Sequence, residues 1–279
     1  MSDEKVYGTF DQAGLDAAYN NSAAVAGSGD IVADWERRGE IARAEGNARL
    51  DIGYGPKPRN GIDYFKSGAE DAPLFAFIHG GYWQRNRKET FSFISAGPNA
   101  HGIDVAHIGY TLAPEATLTE ITQEIDAALA QLVTESDVLG FQPGRIVLSG
   151  WSAGGHLAAH GARNATVAAA MPISGVFDLE PVRHTYINDK VHITESEADA
   201  LSPFRHIGPD TKPFLVAVGG AELPELRRQS KDYADALEKA GYDVELMMPE
   251  GKDHFSVMET LADPNGALCQ GLVRLIERL

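Results

Sequence analysis

The stretch Gly150-Trp151-Ser152-Ala153-Gly154 has the form G-x-S-x-G, and the sequence on either side of it indicates the fold. A short apolar run, Arg145-Ile146-Val147-Leu148-Ser149, precedes it, and Gly155-His156-Leu157-Ala158-Ala159-His160 reads as a helix. A strand, a tight turn and a helix therefore meet at Ser152. This is the context of a nucleophile elbow, where small flanking residues let the backbone turn sharply and expose the serine hydroxyl at the strand end.

Strand-like and helical patterns alternate through the rest of the chain, with an irregular region expected at 174–209. The pattern predicts an α/β fold with a mostly parallel, eight-stranded type of sheet, helices on both faces and an antiparallel edge pair made by the first two strands. The predicted strands are 48–54, 61–66, 74–78, 105–110, 145–149, 167–173, 213–218 and 244–248, and the predicted helices are 11–26, 31–44, 91–100, 118–136, 225–240 and 266–279.

The length and composition favour one domain. A chain of 279 residues with 43% hydrophobic residues can bury a single sizeable core, so we predict one domain over residues 1–279. Residues 1–46 precede the first strand and form its N-terminal helical segment. Whether this segment caps a pocket or only packs on the outside is left open by the sequence.

The charge and the cysteine content limit the partners. A formal net charge of -16 argues against nucleic acid and favours a neutral or zwitterionic small molecule. No apolar run is long enough to cross a bilayer, so no membrane partner is expected. Cys269 is the single cysteine, which excludes an intramolecular disulfide and makes a reducing, cytoplasmic location the simplest expectation. A homodimer is a hypothesis that the sequence permits.

Three polar residues follow predicted strands in the order Ser152, Glu222, His254. Ligands of open α/β sheets bind at the carboxyl ends of the strands, and this order is that of the α/β-hydrolases. His254 would take the proton of Ser152 and later return one to the leaving group, while Glu222 would hold the imidazole in the required tautomer. Glu225 and Asp253 compete for the role of the acid, but Glu225 suits a helix start and Asp253 adjoins the base.

A second signal is His79-Gly80-Gly81-Tyr82-Trp83, which follows another buried strand. Glycines at this place let backbone N–H groups approach a reacting carbonyl, and a second donor comes from the residue after the nucleophile. The predicted oxyanion donors are therefore the amides of Gly81 and Ala153, with Gly80 as a further candidate. We expect His79 to brace this loop rather than to transfer protons.

Aromatic residues adjoin both motifs. The sequence contains no motif that is typical of a metal or cofactor site. Tyr82, Trp83 and Trp151 are predicted to bind the substrate by stacking, although packing is the alternative. His156 and His160 share a helical face but lack the Glu of H-E-x-x-H and any acidic or cysteine companions, so no metal is predicted. No G-x-G-x-x-G follows a strand, so no dinucleotide and no other cofactor is expected.

With these motifs the chain resembles the α/β-hydrolase superfamily and, within it, the esterase and lipase-like group that contains the kynurenine formamidases. The resemblance extends through Val218-Gly219-Gly220-Ala221-Glu222 and Leu201-Ser202-Pro203 to His254-Phe255. It implies that Ser152, Glu222 and His254 are nucleophile, acid and base, and that N-formylkynurenine is hydrolysed to kynurenine and formate. These formamidases usually have Asp where this chain has Glu222, which makes the substrate less certain than the chemistry.

Three functions follow as hypotheses. The first is a cofactor-independent serine hydrolase that cleaves a small ester or aryl amide through an acyl-enzyme. Within that class, a general carboxylesterase or thioesterase competes with a formamidase. The third is a binding protein that keeps the fold without activity; such proteins usually lose the serine, the base or the oxyanion loop, and all three are present here.

Overall fold

The structure, a computed structural model, describes residues 5–45, 47–209 and 211–279. Its eight strands form one sheet in the order β1-β2-β4-β3-β5-β6-β7-β8. The pairs β1–β2 and β2–β4 are antiparallel and all the others are parallel. The strands are β1 Ala48–Gly53, β2 Gly61–Phe65, β3 Ala72–Ile78, β4 Asp104–Ile108, β5 Phe141–Trp151, β6 Val167–Ile173, β7 Phe214–Ala217 and β8 Val244–Met247.

Helices cover both faces of this sheet. In addition to the α-helices, there are two 3₁₀-helices among the described residues, Lys88–Ser95 and Pro203–Arg205. The predicted α/β architecture with a mostly parallel eight-stranded sheet is confirmed, as is the antiparallel pair at its edge. The α-helices are α1 Gln12–Ala18, α2 Asn21–Ala24, α3 Ser28–Ala44, α4 Ala96–Ala100, α5 Leu118–Thr134, α6 Ser136–Leu139, α7 Ala153–Gly161, α8 Glu180–Arg183, α9 Asn188–Val191, α10 Glu195–Leu201, α11 Pro224–Lys239, α12 Ser256–Ala262 and α13 Ala267–Glu277.

Strand β3 shows how the sheet divides the core. Successive side chains of a strand point to opposite faces. Leu74, Ala76 and Ile78 accordingly belong to one buried cluster, and Phe75 and Phe77 belong to another. All five side chains are almost completely buried, as the continuous apolar run predicts for a strand with helices on both faces.

The N-terminal prediction was wrong in its helix boundaries. The predicted helix 11–26 is two helices, α1 and α2, because the Asn20 side chain accepts a hydrogen bond from the N–H of Ala23 at 3.1 Å and begins a new helix there. Helix α3 starts at Ser28, before the predicted position 31. Of the segment 1–46, residues 1–4 and 46 lie outside the described residues.

Two further predictions differ from the structure. The predicted helix 91–100 is the 3₁₀-helix Lys88–Ser95 followed by the short α4, and the predicted irregular region contains α8, α9 and α10. Helix α3 packs so closely on the 3₁₀-helix that a Cβ at Gly39 would lie 2.2 Å from the carbonyl oxygen of Glu89. Helix α10 begins with a capping box made by Thr194 and Glu197, a local pattern that the sequence does contain.

No helix in the described part of the chain is both long and apolar enough to cross a membrane.

Candidate active site

Ser152 lies at the sharp turn between β5 and α7, with φ 58° and ψ -118°. This backbone conformation is costly for a residue with a side chain, and the surrounding packing must hold it. A Cβ at Gly150 would lie 2.2 Å from the carbonyl oxygen of Gly154, and one at Gly154 would lie 2.0 Å from that of Ile78. The two glycines of G-x-S-x-G are therefore required sterically, since any side chain there would collide with backbone.

Glu222 and His254 form a buried pair after the ends of β7 and β8. His254 Nδ1 donates to Glu222 Oε2 at 2.6 Å, and the other carboxylate oxygen accepts from Ser174 Oγ at 2.5 Å and from the N–H of Gly219 at 2.7 Å. Three donors thus hold the carboxylate. Because Nδ1 carries the proton in this contact, Nε2 of a neutral His254 is left as an acceptor.

The two competing carboxylates lie in other networks. Glu225 binds Arg228 at 2.7 Å near the start of α11, and Asp253 Oδ1 accepts from the backbone N–H groups of Phe255 and Ser256. Of the three acids considered from sequence, Glu222 contacts the imidazole of His254. Sequence reasoning missed Ser174, although it directly follows a predicted strand and so meets the same strand-end criterion.

The loop after β3 packs against the elbow. A Cβ at Gly80 would lie 2.5 Å from the carbonyl oxygen of Trp151 and 3.0 Å from Cβ of Ser152, and Gly81 has a φ of 115°. Only glycine allows this approach. His79 Nδ1 donates to the carbonyl oxygen of Gly80 at 2.9 Å, and burial lowers the pKa of His79 to about 3. A neutral, packed His79 braces the loop, as the sequence predicts.

A cavity of about 300 Å³ lies beside the elbow. Ser152 and His254 both line it, together with Gly81 of the loop, while Gly80 and Ala153 are buried and are not among its lining residues. The aromatic part of its wall consists of Tyr82, Trp151 and Phe255.

Trp151 and Trp83 have different surroundings. Trp151 Nε1 donates to the carbonyl oxygen of His254 at 2.8 Å, and the two rings lie 4.7 Å apart, so this tryptophan both lines the cavity and positions the imidazole. Trp83 is fully buried and packs edge-on against His156 at 5.2 Å. The structure does not place Trp83 on the cavity wall, and the prediction that it contacts substrate is corrected accordingly.

The N-terminal segment supplies part of the cavity wall. Asn21, Ser22, Ser28, Gly29 and Val32 line it. Tyr82 ties this wall to the loop, because its hydroxyl donates to the carbonyl oxygen of Tyr19 at 2.7 Å and accepts from Asn21 Nδ2 at 3.2 Å. These contacts join residues more than 60 positions apart in the chain, so no local pattern could have indicated them.

The clusters with metal-binding residue types have other partners. His156 Nε2 donates to the carbonyl oxygen of Leu201 at 2.9 Å, and His160 contacts Arg163 Nη2 at 2.8 Å. Asp51, Asp63 and Glu89 could together hold an ion, but the ammonium group of Lys88 lies 2.7 to 2.9 Å from all three carboxylates. A lysine thus already occupies the position where a cation would sit.

Comparisons with known proteins agree with this fold. The BD-FAE family model matches residues 62–178. The kynurenine formamidase of Danio rerio is 30% identical over 253 residues, covering 85% of each chain, and that of Drosophila melanogaster is 28% identical, covering 78% of this chain and 74% of the relative. An isoprenylcysteine α-carbonyl methylesterase of Arabidopsis thaliana is 24% identical and is covered over 58% of its length.

Solved structures extend the comparison. A Silicibacter protein provisionally described as a thioesterase is 34% identical, with a TM-score of 0.82 and coverage of 92% of this chain and 97% of that one. The Pyrobaculum calidifontis esterase is 21% identical, with a TM-score of 0.72 and coverage of 90% and 92%, which shows likeness of fold alone.

Proposed function

We propose, since this chain belongs to the kynurenine formamidase family of α/β-hydrolases, that Ser152 is the nucleophile, His254 the general base and Glu222 the acid of a catalytic triad. The chain is a hydrolase of small esters or amides. The observation that carries the more specific proposal is the 2.6 Å contact of His254 Nδ1 with Glu222 Oε2, in a histidine that lines the same cavity as Ser152.

The reaction proceeds in two halves. His254 Nε2 takes the proton of Ser152 Oγ as the oxygen bonds to the substrate carbonyl carbon, and the imidazolium then protonates the leaving amine or alcohol as its bond to that carbon breaks. A water molecule, deprotonated by His254, attacks the acyl-enzyme, and the proton returns to Ser152 as the acid is released. Glu222 stabilises the imidazolium in both halves without accepting its proton.

The carbonyl oxygen becomes negative in each tetrahedral intermediate. The amides of Gly81 and Ala153 are the proposed donors to it, with Gly80 as the third candidate. Support comes from the close approach of the loop to the elbow, where a Cβ at Gly80 would lie 3.0 Å from that of Ser152. Donors held rigidly around the developing charge contribute a large part of catalysis in such sites.

The substrate we propose is an aryl formamide, with N-formylkynurenine hydrolysed to kynurenine and formate as the specific case. The formamidases of Danio rerio and Drosophila melanogaster support this, as do the aromatic walls made by Tyr82 and Trp151. A carboxylesterase or thioesterase is the second candidate, and the specific observation in its favour is the 34% identity to the Silicibacter protein.

The N-terminal segment is proposed to act as a fixed cap within a single domain, not as outer packing. Five of its residues line the cavity, and the hydrogen bonds of Tyr82 hold it against the oxyanion loop. A reducing, cytoplasmic location is proposed as well, on the ground that the single cysteine, Cys269, is a buried free thiol.

A fluorophosphonate probe tests the nucleophile. The wild-type protein should be labelled at Ser152, and Ser152→Ala should lose both labelling and more than about 99.9% of turnover. Ser196→Ala, at an exposed serine in α10, is the matched control and should keep both. Turnover that survives in Ser152→Ala would overturn the proposal.

A substrate panel tests specificity. The rates on N-formylkynurenine, 4-nitrophenyl acetate and an acyl-CoA thioester are compared for one preparation. A formamidase should have its highest kcat/KM on N-formylkynurenine. A negligible rate on that substrate beside rapid ester or thioester turnover would favour the second candidate.

A further inference from the structure

Among the described residues, one side chain lining the cavity beside Ser152 carries a full charge at neutral pH, and it is Arg85. The remaining lining residues are neutral polar, glycine, aliphatic or aromatic, apart from the titratable His254. The chain has 40 acidic and 24 basic residues, yet no carboxylate lines this cavity. The fixed charge on the cavity lining is therefore opposite in sign to the net charge of -16, and the Glu222 carboxylate contacts His254 without lining the cavity.

The guanidinium group of Arg85 makes few hydrogen bonds within the described part of the protein. Its Nη2 donates one long hydrogen bond, 3.3 Å, to Ser22 Oγ, and in the described part of the chain it forms no ion pair. The nearby Arg59 donates instead to the carbonyl oxygens of Tyr110 and Asn86 at 2.9 and 2.5 Å. A guanidinium has five N–H donors, so most of those of Arg85 remain for a ligand.

The backbone that carries Arg85 is held firmly against the proposed oxyanion loop. A Cβ at Gly81 would lie 2.4 Å from the carbonyl oxygen of Arg85, and Asn86 Nδ2 donates to the carbonyl oxygen of Gly80 at 3.2 Å. Arg59 holds the carbonyl oxygen of Asn86 from the other side. The cation is thus anchored at a set position relative to Gly81 while its side chain stays free to bind.

We infer that Arg85 selects substrates that carry a carboxylate, which its guanidinium group binds while Ser152 attacks the ester or amide carbonyl. A planar guanidinium fits a carboxylate with two parallel hydrogen bonds. The inference rests on the proposed function and narrows its substrate class to anionic or zwitterionic aryl formamides and esters. It also explains how a strongly acidic protein can accept such a substrate, because a local cation offsets the unfavourable long-range field.

The test uses pairs of esters that are similar in size and shape and differ in charge, with the rate of each ester without protein subtracted. The acetate esters of 2-, 3- and 4-hydroxybenzoate are compared with those of the matching hydroxybenzamides, which place a neutral group of similar size at the same three positions. Each ester is measured with the wild-type protein, with Arg85→Gln, and with Arg87→Gln as the matched control. Arg87 is exposed on the same loop, faces Glu36 at 3.8 Å and does not line the cavity.

The wild-type protein should prefer at least one carboxylate over its amide by about tenfold in kcat/KM, through a lower KM. Arg85→Gln should abolish that preference while leaving kcat/KM on the amides within about twofold. Arg87→Gln should retain the preference, which separates a local contact from a change in net charge.

Two outcomes would overturn the inference. One is a wild-type protein with no preference at any of the three positions, and the other is a preference that Arg85→Gln leaves unchanged. A different result would contradict the proposed function itself: Ser152→Ala would still hydrolyse the neutral, amide-bearing esters. Thermal unfolding of Arg85→Gln, an exposed position, shows whether the variant is folded.

Discussion

Replacing Glu222 by glutamine tests the geometry of the site with almost no change of shape. The carboxylate accepts three hydrogen bonds, from His254 Nδ1, Ser174 Oγ and the N–H of Gly219. A glutamine side chain offers one acceptor oxygen and one NH₂ donor. In either orientation of the amide, its NH₂ group therefore faces at least one donor.

The orientation that satisfies Ser174 and Gly219 turns the NH₂ group toward His254. The imidazole must then accept at Nδ1 and carry its proton on Nε2, so it can no longer remove a proton from Ser152. Loss of the correct tautomer in a serine hydrolase lowers kcat by about 10³- to 10⁴-fold. We expect a loss of that size with a KM close to that of the wild-type protein.

The assay is steady-state hydrolysis of 4-nitrophenyl acetate, with Glu225→Gln as the control because Glu225 lies in the ion pair with Arg228 and makes no contact with His254. Glu222→Asp adds an intermediate case. Removing one methylene lengthens the 2.6 Å contact to about 4 Å unless the loop moves, so the loss should be about 10- to 100-fold. A loss below tenfold in Glu222→Gln would refute the assignment of this carboxylate.

Two other predictions follow from steric fit and from burial. Gly80→Ala would place a Cβ 2.5 Å from the carbonyl oxygen of Trp151 and displace the loop that we propose supplies the oxyanion donors, so we expect kcat, measured by steady-state kinetics, to fall at least about 100-fold. Burial lowers the pKa of His156 to about 4 from its ordinary value of 6.5, so between these values the unfolded chain binds a proton that the folded chain does not. The free energy of unfolding therefore decreases as the pH falls through 6.5, and His156→Gln, which keeps a donor for Leu201, should make this slope shallower by about 1.4 kcal/mol per pH unit in urea titrations.

The Gly80→Ala and His156→Gln predictions can each be contradicted by a specific result. Gly53→Ala has nothing within 4 Å of its added Cβ and should retain full activity, whereas an active Gly80→Ala would show that the loop is not constrained by the elbow. For His156, a slope unchanged by the substitution would mean that this histidine is not buried in its neutral form.

Much of the architecture could be predicted from local sequence. Strand β6 matches its predicted range 167–173, and β3 extends the predicted 74–78 by two residues. Strands buried on both faces are continuous apolar runs, and the break after each run marks the carboxyl edge of the sheet. For the same reason Ser152, Glu222 and His254 could be selected as strand-end residues without any knowledge of distances.

Contacts between segments that are distant in the chain could not be predicted from local sequence patterns. Residues Lys88–Ser95 form a 3₁₀-helix where an α-helix was predicted. Gly39 of α3 packs directly on the backbone of this 3₁₀-helix. Ser174 completes the partners of Glu222 from another strand end, and Trp83, close in sequence to Gly80 and Gly81, turns into the core against His156.

The sequence by itself determined the order of the eight strands, the sharp turn at Ser152 and the glycine loop after β3, because glycine placement and apolar periodicity act over a few residues. The tertiary structure alone decided which carboxylate meets His254, that the N-terminal segment forms a wall of the cavity, and that Arg85 faces it without an acidic partner. These features depend on side chains that lie far apart in the chain, from the 32 positions between Glu222 and His254 to the more than 200 positions between Asn21 and His254, and their geometry is set by packing of the sheet and helices.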